Sequence, residues 1–316
     1  MKTIINGLVL ILISVAAYAQ QDPQFNQYIF NELIINPAYA GSKELHTINA
    51  TYSNQWTGFD GAPSTQTISY DGPIGKNMGI GAHFINDRIG AQSHQGLFGS
   101  YAYRFRLSET WRMAFGLAAG ISYFTIDGTQ LISDNENDPA IPKTKQSSLR
   151  FDSKAGMFVH NERFYTGFSV SNLLGDVIKS KDLMVAKSSR HYYLTAGYVF
   201  DLGKKLKFKP SFLIKEDFKS PTNIDVTAFF LYKEKLWLGA SARMNTSLWK
   251  QSLDNTLKHR NAVAIMAEWN IIDRLRIGYA YTLTLTSLKN YSGHEIQLGY
   301  YFPTKVEPKM KTPRYF

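Results

Sequence analysis

The chain has 316 residues and a formal net charge of +10, with 44% hydrophobic residues, 14% aromatic residues and no cysteine. The missing cysteine excludes a disulfide framework, a zinc–thiolate site, a thiol nucleophile and lipid attachment to an N-terminal cysteine. A mean hydropathy of −0.23 does not by itself point to a membrane, but it fits alternating strands whose apolar and polar residues average out.

Residues 1–19 have the form of a secretory signal. Lys2 supplies the positive start, Ile4 to Ala17 is largely apolar, and Ala17-Tyr18-Ala19 is an A-x-A cleavage site. Cleavage is expected before Gln20. Export argues against a nucleic-acid partner for the basic charge, which is spread over many segments.

Residues 20–41 form an N-terminal plug or docking segment. Phe25, Ile29 and Leu33 repeat every four residues and predict a short helix. Asp22-Pro23 fits its start, and Asn36-Pro37 its end. A helix here would lie in the lumen or cap the periplasmic mouth of a barrel.

Residues 42–302 read as one all-β domain. Fourteen strands are predicted, at about 45–54, 64–72, 76–86, 95–107, 110–125, 150–160, 163–171, 190–201, 205–215, 222–233, 235–245, 259–270, 273–286 and 292–302. In the fifth, Trp111, Met113, Phe115, Leu117, Ala119, Ile121 and Tyr123 share one face, opposite Arg112, Ala114, Gly116, Ala118, Gly120 and Ser122. In the last, Ile296, Leu298, Tyr300 and Phe302 oppose Glu295, Gln297 and Gly299. This is the sidedness of strands with lipid outside and polar groups inside. Such a sheet must close on itself, because hydrocarbon leaves an open edge unpaired. The links alternate between short ones (such as 72–75 and 271–272) and mostly longer ones (55–63, 87–94, 126–149, 172–189, 216–221, 246–258, 287–291). That asymmetry is expected of periplasmic turns and outer loops. Residues 303–316, with three prolines and excess Lys and Arg, read as a periplasmic tail.

Candidate chemistry is sparse. Seven histidines without H-x-x-x-H spacing give no metal signal, and no motif supports a catalytic or cofactor site. The glycines at 79–81, 116 and 120 lack the strand-to-helix setting of a phosphate loop and fit a crowded inner face. Arg104, Arg106, Arg112, Arg243, Arg274, Arg276, Asp225, Glu268 and Glu295 fall on polar faces. They either pair across a filled lumen or line a wet channel.

Three stretches carry a resemblance. Gln21, Asp22, Pro23, Phe25, Gln27 and Tyr28, followed by Asn36, Pro37, Ala38, Tyr39 and Gly41, resemble the mature N-terminus of the PorP/SprF outer-membrane proteins. These belong to the type IX secretion and gliding systems of Bacteroidetes-type bacteria. Trp56, Gly58, Gly61, Ala62 and Pro63 resemble that family's first outer loop. His294 and Glu295, within Ser292 to Ile296, resemble its closing hairpin. The resemblance implies an outer-membrane barrel that helps export or anchor surface proteins, without catalytic residues or cofactor. The implied partners are outer-membrane lipid, the periplasmic ring and peptidoglycan-linked parts of the secretion machine, and, for members dedicated to a single cargo, one cognate secreted adhesin. A passive porin or small-molecule transporter is the alternative reading of the same barrel.

Overall fold

The computed structural model describes residues 26–131, 142–174, 189–249 and 260–302. The signal segment, Gln21, Asp22, Pro23, Phe25 and the tail lie outside them. Fourteen antiparallel strands form one closed barrel. They are β1 (Thr47–Asn54), β2 (Ser64–Ile74), β3 (Met78–Ile89), β4 (Gln92–Arg106), β5 (Arg112–Asp127), β6 (Lys145–His160), β7 (Phe164–Ser171), β8 (His191–Tyr198, resumed at Phe200–Asp201), β9 (Leu206–Glu216), β10 (Thr222–Tyr232), β11 (Leu236–Thr246), β12 (Arg260–Ile272), β13 (Leu275–Thr284) and β14 (Ser292–Tyr301). The two pieces of β8 keep one register against β9, with Gly197 opposite Ser211 and Asp201 opposite Lys207. Closure runs from Thr47 opposite Tyr301 to Asn54 opposite His294.

The expected alternation sets the two faces. On β5, Ala114, Gly116 and Ala118 are buried, while Phe115, Leu117 and Ala119 are exposed. Leu117 is 66% exposed and Phe151 is 63% exposed, values that only a lipid surround makes favourable for so many strands. Aromatic contacts gird the turn end, as in Tyr103–Phe105–Phe115, with centroid separations of 6.4 and 5.7 Å.

One expectation needs correction, and another is made specific. The link predicted at 87–94 is a two-residue turn at 90–91, with Ile89 paired to Gln92. The polar residues Asn86, Asp87, Gln92 and Ser93 continue the ladder, because a strand can extend beyond the lipid into water without an apolar face. The helix predicted from four-residue spacing is, within the described residues, three short 3-10 turns: Tyr28–Phe30, Glu32–Ile34 and Pro37–Tyr39. Asn31 interrupts the first two with φ −144° and ψ 58°. Asn36 starts the third, its side chain accepting from the Ala38 N–H, with Pro37 at the first position. This segment lies inside the barrel. A regular helix would keep its carbonyls for its own ladder, whereas here the wall takes them.

The last strand is extended by one bond, from the Phe302 N–H to the His46 carbonyl at 2.9 Å. The Phe302 ring lies edge-on to Tyr300 at 5.2 Å on the lipid face. Phe302→Asp places a charge at that boundary and is expected to lower outer-membrane levels several-fold. Immunoblots of membrane fractions check this, and unchanged levels would rule the role out.

Candidate functional site

The lumen is occupied by the chain's own N-terminal segment, and the wall holds it chiefly by its backbone. At the loop-side end, Glu295 on β14 grips two consecutive amides: Oε1 accepts from Gln27 N at 2.8 Å and Oε2 from Asn26 N at 3.0 Å. The Asn26 side chain donates to Thr282 Oγ1 at 3.0 Å and approaches Arg243, which pairs with Asp225 at 2.7 Å. A carboxylate taking two N–H donors is a strong, directional anchor.

Farther in, Arg276 on β13 donates to the Phe30 carbonyl at 3.1 Å and to Asn49 Oδ1 at 3.0 Å, and its Nε lies 3.3 Å from Glu268. The Phe30 ring packs edge-on against Phe229 at 5.2 Å and Trp237 at 5.9 Å. Across the lumen, Lys154 donates to the Ile34 carbonyl at 3.1 Å, Ser169 to the Ile35 carbonyl at 2.9 Å, and Asn36 Nδ2 to the Met157 carbonyl at 2.9 Å. At the turn-side end, Asp71 accepts from Gly41 N at 3.0 Å and from Thr47 Oγ1 at 2.5 Å, while Arg104 donates to the Gly41 carbonyl. Gly41 has φ +69°, and a Cβ there would run into Gly72 and Gly79, so glycine is required twice over.

The charges inside this seal balance. Glu32 and Lys43 come from the plug, and Asp71, Lys209, Glu268 and Arg276 from the wall. Lys209 and Lys43 face Glu32, and Arg276, Asp71 and Glu268 face Lys43. Three cations meet three carboxylates. Lys209 is fully buried, its ammonium 5.3 Å from the Tyr165 ring and 5.8 Å from that of Phe30. A filled lumen with balanced charges is therefore the arrangement adopted, with direct ion pairs at Arg276–Glu268 and Arg243–Asp225. Arg106, Arg112 and Arg274 are the exceptions: Arg106 and Arg274 are exposed at the turn rim, and Arg112 lies 3.5 Å from the Ser108 and Trp111 carbonyls.

Wall glycines make room for the segment. A Cβ on Gly79 would collide with the Ala40 carbonyl, one on Gly116 with the Ala38 backbone, and one on Gly156 with the Asn36 side chain.

The β1–β2 loop forms the rim above. Trp56, Gly58 and Gly61 take positive φ of 51°, 93° and 71°. Thr57 N donates to the Ser292 carbonyl at 2.7 Å, Gln55 N to the Pro63 carbonyl at 3.0 Å, and Gly90 N to the Gly61 carbonyl at 2.9 Å. Phe59 meets Tyr291 at 5.3 Å. Between this loop and the plug is a cavity of about 350 Å³, lined by Asn26, Trp56, Arg243, Asn261, Thr282 and Thr284 among others.

Of the singled-out residues, Gln27, Tyr28, Asn36, Pro37, Ala38, Tyr39 and Gly41 are brought together with Glu295 in the lumen. Trp56, Gly58, Gly61, Ala62 and Pro63 sit apart at the rim. His294, next to Glu295 in sequence, faces outward and bonds Tyr279 at 2.7 Å. Lys154, Lys209, Lys43 and Asp71 were not singled out. Their only sequence signal is a charge at an inward strand position, or in a segment otherwise apolar. Among the described residues no three His, Asp or Glu side chains converge as a metal site.

The fold is that of solved outer-membrane channels. The CymD monoaromatic hydrocarbon channel superposes with a TM-score of 0.50 at 11% identity, over 87% of this chain and 93% of that one. The Ralstonia pickettii toluene transporter TbuX gives 0.48 at 8% identity over 86% and 93%. A Pseudomonas aeruginosa FadL homologue gives 0.46 at 10% over 89% and 94%. No curated protein matches the sequence. A family model described as type IX secretion system membrane protein PorP/SprF matches residues 17–300.

Proposed function

The chain belongs to the PorP/SprF family of type IX secretion system membrane proteins and is a β-barrel of the outer membrane, and from that premise we propose that it is a sealed, non-enzymatic scaffold for exporting or anchoring surface proteins. The supporting observation is the plug. Its backbone is held by side chains on β2, β4, β6, β7, β13 and β14, so the lumen is built as a seat and not as a passage. The outer loops offer a platform to an adhesin-like cargo. The short turns face the periplasmic ring and peptidoglycan-linked components.

A clean deletion with comparison of surface and secreted proteomes tests the role. Loss of one protein marks a dedicated anchor and loss of many a general component; loss of none rejects the export role. The alternative is a passive channel like CymD, with which this chain shares the fold. It predicts steady conductance of the purified protein in planar bilayers. The scaffold predicts a current close to that of the bare bilayer until the plug is dislodged.

A further inference from the structure

Charge is unevenly placed on the turn side. Across four of its six turns, Lys76, Arg106, Arg163 and Arg274 stand against Glu109, Glu162 and Asp273, a net charge of +1. The other two, 202–205 and 233–235, carry Lys204, Lys205, Lys233 and Lys235 against Glu234 alone. They are neighbours because β8 to β11 are consecutive in the sheet, and the Lys233 N–H donates to the Lys205 carbonyl at 2.7 Å. All four lysines are exposed. Among the described residues none of their ammonium groups is in an ion pair. Nearby Asp201 is already engaged by Arg163 at 2.5 Å and Lys207 at 2.7 Å.

The outer wall next to these turns carries a continuous aromatic strip. Tyr198 meets Phe200 at 4.5 Å, Phe200 meets Phe208 at 6.2 Å, and Phe208 meets Phe230 at 5.0 Å. The Lys233 ammonium sits 5.2 Å from the ring of Tyr232, which is exposed on the same face. Such rings mark the level where hydrocarbon gives way to headgroups. The lysines therefore lie at headgroup depth, in the leaflet facing the periplasm.

We propose that this corner binds an anionic phospholipid of the inner leaflet, the four lysines holding its phosphate and the ring strip its acyl chains. Lysine attracts phosphate as a mobile point charge, and clustered lysines beside a membrane select acidic lipid. Free phosphate would not use the rings. A carboxylate-bearing cell-wall polymer or an acidic protein would use only the lysines. The inference needs the barrel and its orientation but not the export role.

Native mass spectrometry of the full mature protein, exchanged into detergent with equal phosphatidylglycerol and phosphatidylcholine, tests it. The wild type should retain phosphatidylglycerol about tenfold more often. The variant K204Q/K205Q/K233Q/K235Q should retain the two lipids equally while keeping its heat-modifiable gel shift. Excess inorganic phosphate should not strip the lipid. F200A/F208A should lose both lipids. Equal retention by the wild type, unchanged selectivity in the lysine variant, or displacement by inorganic phosphate would overturn the assignment. So would a wild type indifferent to lipid that co-sediments with peptidoglycan through these lysines.

Discussion

Gly116→Val should turn a closed barrel into a conducting one. The first carbon of the new side chain falls on the Ala38 backbone and the Pro37 carbonyl carbon, where no rotamer change relieves the clash. The wall cannot yield easily, since Gly116 is in register with Ala102 on β4 and Gly156 on β6. Overpacking of this kind costs about 1–3 kcal/mol or more, and the plug, held by separate polar contacts, is the part that can move. Planar-bilayer recordings should show steady current from the variant and little from the wild type. Ala119→Val, on the lipid face of the same strand, is the control and should leave conductance unchanged. Should Gly116→Val fail to assemble, Gly79→Val, aimed at the Ala40 carbonyl, and deletion of residues 21–36 test the same plug at other points. Folded variants that stay sealed would mean the segment does not close the lumen.

The second large effect is expected from Arg276→Met. This removes a buried cation that joins Glu268, the Phe30 carbonyl and Asn49. Glu268, 1% exposed, loses its 3.3 Å ion-pair partner and keeps only the less direct attraction of Lys43 and Lys209. Breaking one side of a buried ion pair costs about 3–5 kcal/mol, whereas neutralising both sides is often nearly free. Arg276→Met should thus lower the temperature at which the folded band converts on gels. Adding Glu268→Gln should recover part of the loss. The unrecovered part measures the lost hold on Phe30 and Asn49. A single variant as stable as the wild type, or a double variant less stable than the single, would reject this account of the network.

Both predictions act on contacts between the plug and the wall, and so does the distinction between a scaffold and a passive channel. Glu295 illustrates how sequence and structure divide the information. Its inward position is legible from the alternation of Glu295, Gln297 and Gly299 against Ile296, Leu298 and Tyr300, because strand side chains alternate strictly. Its partner is not, since the amides of Asn26 and Gln27 lie 269 and 268 residues away. The glycines at 79 and 116 were readable as a crowded inner face, but what crowds them was not.

Periodicity of two, aromatic ends and alternating link lengths determined the sheet, its faces and its closure, because lipid demands those features strand by strand, while three local motifs carried the family. Whether the polar inner face was filled or wet, and whether residues 26–41 lay in the lumen or capped its mouth, was decided only in the folded barrel. Those outcomes depend on which distant strands reach one another's backbone, and no local rule of spacing encodes that distance.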